Sequence, residues 1–191
     1  QSRSSAASDV YKRQVLLFLL LCFIPAQTEA TSPRIKGLDN IKIINPAGLA
    51  KVASWKRTPT VVICEHAPVD RKKVREAISW WSERNYMFYH SIYLRGERTT
   101  SICQNSDPEG YITINLVTQE TFGLDTDMAT THFYVDNETH EIYWDKIYLK
   151  KDVQERVLEH EFGHALGWMH TNELSHLMNS KWVRGGWKDT G

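Results

Sequence analysis

The apolar residues of this chain fall into segments of clearly different period. Residues 60–64 form a short β-branched run between Pro59 and Pro68, the pattern of a buried strand. Over residues 70–85 the period changes: Val74, Ala77, Ile78 and Trp81 recur at helical spacing, while Arg71, Lys72, Arg75 and Glu76 take the other faces. That predicts an amphipathic helix with one side packed on a sheet. Residues 87–93, 111–117 and 130–135 return to strand patterns, and residues 141–149 are expected to pair with 130–135 through the polar link Asp136-Asn137-Glu138-Thr139. A last helix is expected to start near Val153. Asp152, followed three residues later by Glu155, has the form of a capping box, and Val157, Leu158, Phe162, Ala165 and Leu166 supply apolar residues to pack beneath it. Strand, helix, four strands, helix supports an α+β fold and nothing finer.

Composition narrows the class. At 191 residues, 41% hydrophobic and 24% charged, the chain can bury one core and shows no bias toward disorder. Its formal net charge is zero with both signs interspersed, so neither nucleic acid nor an anionic membrane is expected as a partner.

The N-terminus reads as targeting sequence. Residues 1–14 are Ser-rich without apolar period and read as a non-native or unstructured leader. Lys12 and Arg13 precede an apolar run from Val15 to Ile24, and small residues around Ala30 offer a cleavage site, so residues 15–30 read as a signal peptide. The run is shorter than the roughly 20 apolar residues that span a bilayer, so stable membrane association is not expected. An exported location, extracellular or periplasmic, follows. Cys22 leaves with the signal, and Cys64 and Cys103 remain as an even pair, for which a disulfide is expected rather than two buried thiols. Residues 31–58 are an N-terminal segment or propeptide, and residues 59–191 are the expected main domain.

The chemistry is concentrated in His160-Glu161-Phe162-Gly163-His164-Ala165-Leu166-Gly167-Trp168-Met169-His170. On a helix, His160 and His164 lie on one face, where both rings can reach a single metal ion. Gly167 is placed to stop the helix in the left-handed conformation, and the chain can then return His170 as third ligand. Glu161 stands beside the ligands with no need to be one. Three protein ligands leave a coordination position open for water, the layout of one catalytic zinc, and a carboxylate there can act as general base.

These residues, with Met178 eight positions after His170, resemble the signature of the metzincin metallopeptidases. The spacing and Thr171 directly after the third histidine look most like the matrixin branch. The resemblance implies a zincin-like catalytic domain: a twisted, mixed five-stranded sheet with a long helix, an active-site helix, and a Met-turn in which Met178 lies below the zinc. It implies a zinc endopeptidase in which Glu161 activates water, and an antiparallel edge strand around residues 129–134 that binds a polypeptide substrate in extended form. It also places Arg156, four residues before the first ligand, at the floor of the substrate pocket, where a solvated surface arginine is the alternative. A monomer is expected.

The departures from that pattern are as specific as the matches. Residues 31–58 contain no Cys, so latency through a thiolate on the metal is not expected. The histidine and aspartate pattern of a structural zinc and the Gly-rich calcium loops are not apparent. Asp125, Asp127, Asp136 and Asp145 remain as candidate calcium ligands, though scattered loop acids are more often solvated. Asn179, Ser180, Lys181 and Trp182 follow the Met where matrixins carry Pro and Tyr, and with thirteen residues after Met178, where matrixins close with an amphipathic helix, the domain is expected to be either a short variant or C-terminally incomplete. His132 and His140 flank the 136–139 link as a second candidate metal pair, and Asn137-Glu138-Thr139 is a glycosylation sequon. The rival reading is an exported zinc-containing binding protein without protease activity. A zinc peptidase outside the metzincins, with a carboxylate in place of His170, is the weaker third.

Overall fold

The computed structural model describes residues 51–89, 97–118, 128–174 and 176–181, together with two short strands at Arg34–Lys36 and Tyr93–Leu94. The expected leader and signal peptide, with Asp125, Asp127 and Trp182, lie outside the described residues.

One mixed sheet carries the fold. Its strands are β1 (Arg34–Lys36), β2 (Ser54–Trp55), β3 (Thr60–Ile63), β4 (Tyr93–Leu94), β5 (Tyr111–Leu116), β6 (Ala129–Val135) and β7 (Glu141–Leu149). The lateral order is β1-β6-β7-β5-β3-β4, with β2 pairing the start of β7. Strands β3, β5 and β7 run parallel, with Ile114 opposite both Ile63 and Ile147, and these residues are nearly fully buried. Continuous apolar runs are what strands covered on both faces require. β6 turns back antiparallel to β7, pairing Thr131 with Ile147 and Phe133 with Asp145. Asp136 closes the connecting turn by accepting from the backbone N–H groups of Glu138 and Thr139, each at 2.9 Å.

The helices are α1 (Arg71–Ser82), α2 (Glu97–Gln104) and α3 (Val157–Ala165). Asp70 caps α1 by accepting from the Lys73 N–H at 2.8 Å, and Val74, Ala77 and Trp81 form its buried face. Trp81 ties α1 to α3 by donating its indole N–H to the Glu159 carbonyl at 2.8 Å. Every residue of α3 except Glu159 is buried, as befits a helix enclosed by its neighbours. Cys64 at the end of β3 is bridged to Cys103 in α2 across a Cα–Cα distance of 5.9 Å. In the chain-entropy picture, closing a loop of 39 residues stabilises by about 4 kcal/mol.

Three expectations need correction. Of the strand expected over 87–93, residues 87–89 are not a strand and residues 90–92 lie outside the described residues; Tyr93 and Leu94 pair with β3, and the unexpected α2 follows. The last helix starts at Val157 rather than near Val153, because Arg156 takes a left-handed conformation at φ 67° and no side chain caps the first turn. Asp152 and Glu155 thus lie outside the helix, so the capping box does not form. Third, β6 is not the outermost strand: β1 pairs with it in parallel, Arg34 opposite His132 and Lys36 opposite Tyr134. The fold is α+β with a mixed, mostly parallel sheet, as expected; among the described residues seven strands pair in it, four of them longer than three residues. Among the described residues no helix is long and apolar enough to cross a membrane.

Candidate metal centre

His160 and His164 stand one turn apart on α3 with rings fully buried. The helix ends where the third ligand needs it to. Gly167, at φ 91°, donates its N–H to the His164 carbonyl at 2.8 Å, and Trp168 donates to the Gly163 carbonyl at 2.9 Å, the paired closure of a Schellman motif. A Cβ at Gly167 would lie 2.2 Å from the Ala53 carbonyl oxygen, and the Gly167 carbonyl accepts from the Val52 N–H at 2.8 Å. Only glycine satisfies both the dihedral and that approach. The chain then reverses, and the Thr171 N–H donates to the Met178 carbonyl at 2.9 Å, which fixes the segment carrying His170.

The result is a compact triangle of nitrogens. The Nε2 atoms of His160 and His164 are 3.1 Å apart, those of His160 and His170 3.1 Å, and those of His164 and His170 3.0 Å. Protons do not hold them together. The His160 Nδ1 donates to the Leu177 carbonyl and the His164 Nδ1 donates to the Trp168 carbonyl at 2.7 Å. A carbonyl can only accept, so in both rings Nδ1 carries the hydrogen and Nε2 presents a lone pair. Burial, with the neighbouring rings adding to it, pushes the His160 pKa down to about 3 and that of His164 well below its ordinary value, and burial brings His170 to about 4. Neutral rings with converging lone pairs are what a cation needs. Tetrahedral coordination at about 2.0–2.1 Å spaces ligand nitrogens by roughly 3.3 Å, a few tenths of an ångström from the spacing seen here. Among the described residues these three form the one cluster of three or more side chains able to hold a metal ion.

Glu161 is 2% exposed and turns toward the sheet, where the Thr131 hydroxyl donates to its Oε2 at 2.6 Å. A second acid lies nearby. Asp145, on β7, is fully buried, and neither of its carboxylate oxygens has a hydrogen-bond partner among the described residues. Burial, reinforced by the charge of Glu161, raises its pKa well above the usual carboxylate range. Met178, 1% exposed, lies against α3 between the two helical ligands: a Cβ on Gly163 would come 2.3 Å from its Sδ and 2.8 Å from a ring carbon of Trp81.

Other expected site residues fall elsewhere. Arg156 is half-buried just before α3 and offers its carbonyl to the His160 N–H at 3.0 Å. Asp136 is spent on its own turn and Asp145 lies in the core, so neither joins a calcium site among the described residues. The His132 ring packs 5.2 Å from that of Tyr148, and His140 is exposed in the turn after β6, where Asn137 is exposed as well.

The pattern of residues understated Thr131, Asp145 and Gly163. The first two carry a signal that could have been read: each is polar within the inward-facing phase of a strand, Ala129, Thr131, Phe133 and Val135 in one and Asp145, Ile147 and Leu149 in the other. Gly163 carried none, since the contact with Met178 spans the turn after His170. No protein-family model matches the chain, and no curated protein matches it.

Proposed function

We propose that the chain is an exported zinc endopeptidase of matrixin-like, metzincin architecture. The observation that carries this reading is the convergence of three neutral imidazoles from a helix and its return turn, two of them oriented by backbone carbonyls, with a carboxylate on the residue after the first of them. His160, His164 and His170 hold the ion, and Met178 forms the apolar floor beneath them. Bound there, zinc supplies a Lewis acid that polarises a peptide carbonyl and acidifies water. Glu161 takes the proton of the attacking water and returns it to the leaving amine. The backbone of β6 orients the peptide by strand addition, and a substrate adding at residues 132–134 has to replace β1 there. Burial of the three rings keeps them unprotonated at neutral pH, so they remain ligands. Ser, Thr and Cys side chains have no nucleophilic part.

Purified protein loaded with zinc and incubated with a denatured polypeptide tests this. Chelator-sensitive cleavage, abolished in Glu161→Gln with zinc still bound, is the expected result. Bound zinc without cleavage by the wild type would leave the exported zinc-containing binding protein as the better reading. Full zinc binding in His170→Ala would point to a ligand set outside the metzincin pattern.

A further inference from the structure

The inner face of β6 carries one polar contact that the proposed chemistry does not use. Thr131 is fully buried, in register with Ile147 of β7, and on the strand face packed against α3. Its hydroxyl lies 2.6 Å from Oε2 of Glu161 and 3.4 Å from the Glu161 carbonyl oxygen. The shorter distance belongs to the charge-assisted class of hydroxyl–carboxylate bonds, and the longer one adds little. A buried threonine in a strand ordinarily satisfies itself on nearby backbone; here the carboxylate is the close partner.

The surroundings make this donor matter. Asp145 of β7, opposite Phe133 of β6, is fully buried, interacts electrostatically with Glu161, and has no hydrogen-bond partner for its carboxylate oxygens among the described residues. A second acid repels a neighbouring carboxylate when both are charged. Glutamate has three rotatable side-chain bonds, so its position relative to the three rings of the metal centre depends on what holds its end. The Thr131 hydroxyl holds one of the two oxygens to the sheet. Thr131 also belongs to the strand whose outer edge accepts an extended chain, shown by the pairing of β1. Substrate register and base orientation therefore share a single rigid element.

We propose that Thr131 is a positioning residue: its hydroxyl orients the Glu161 carboxylate for hydrolysis. This rests on the endopeptidase reading. Thr131→Val keeps the shape and removes the donor, and Thr131→Ser keeps the donor and removes a methyl group. Two measurements separate the outcomes. In metal-free protein labelled with 13C at glutamate side-chain carboxyls, the Glu161 resonance is assigned by its loss in Glu161→Gln. It is expected to shift in Thr131→Val and to stay near its wild-type position in Thr131→Ser. In zinc-loaded protein, Thr131→Val is expected to lower kcat by roughly 10- to 100-fold, the range typical of outer-sphere changes at metal sites, with KM and zinc content little changed. Thr131→Ser should recover most of that loss. An unmoved carboxyl resonance, a wild-type kcat in Thr131→Val, or equal losses in the valine and serine variants would each overturn the proposal. A resonance shifted in Thr131→Val, together with a wild type that cleaves nothing, would instead overturn the endopeptidase reading, and the positioning role with it, while leaving the hydrogen bond established.

Discussion

The Met178 thioether lies against the backbone of Gly163 so closely that a single added carbon would fall 2.3 Å from its sulfur. The residue between the two helical histidines is therefore small because the turn after His170 passes directly beneath it. In Gly163→Ala, better helix propensity gains up to about 1 kcal/mol, against about 1–3 kcal/mol for overpacking. Trp81 crowds the same point at 2.8 Å, which tips the balance. Denaturant unfolding should show a net loss of about 1–2 kcal/mol, and zinc titration a weaker site. Unchanged stability would mean that Met178 is free to move aside.

Gly167→Ala should cost more. The substitution forces a side chain into φ 91° and onto the Ala53 carbonyl, where backbone cannot swing away as a thioether can. The left-handed dihedral alone costs about 1–2 kcal/mol, so a total above about 2 kcal/mol is expected by thermal or denaturant unfolding. Stability within about 0.5 kcal/mol of wild type would contradict the close approach.

The metal-free protein should lose stability on mild acidification. Three histidines have folded-state pKa values depressed below 6.5, to about 3 for His160 and about 4 for His170. The unfolded chain thus takes up protons that the folded one refuses. Stability is fully present above pH 6.5 and falls toward pH 4, by about 1.4 kcal/mol per pH unit for each histidine. Unfolding free energies of wild type and His170→Ala across that window, with chelator present, check the sign and the slope. A flat wild-type profile would mean that the rings are readily protonated in place.

Asp145 should act in the opposite direction. Its folded-state pKa is raised well above 3.8, so its contribution is most favourable below the unfolded value and is lost as pH climbs toward the folded one. Asp145→Asn removes the ionisable group, and its stability relative to wild type should grow with pH, by about 1.4 kcal/mol per unit across that interval. Parallel pH profiles for the two proteins would show that Asp145 is not held neutral.

A chain shortened to begin after Lys36 lacks the strand that pairs with residues 132–134 of β6. If peptides add to that edge, their cleavage by the zinc-loaded protein should rise relative to the full chain, mainly through a lower KM. An unchanged KM would place substrate binding elsewhere.

What could be read directly from the residues was local. The i, i+4 spacing of His160 and His164, the glycine that ends their helix, the helical period of Val74, Ala77 and Trp81 and the strand patterns along 130–135 and 141–149 all depend on neighbours within a turn or a hairpin, and each element formed as expected. The start of α3 did not. Its capping-box pattern was outweighed by the conformation of Arg156, whose left-handed backbone breaks the helix between Glu155 and Val157.

The sequence alone determined which side chains are able to bind a metal, because ligand spacing on a helix is set by its 3.6-residue period. Tertiary structure alone decided how they are held. The Leu177 carbonyl that orients His160, the Thr131 hydroxyl on Glu161, the sulfur beneath Gly163 and the strand laid along β6 all come from segments distant in the chain. No local period encodes those partners; they meet because closing the sheet against α3 buries the apolar faces of both.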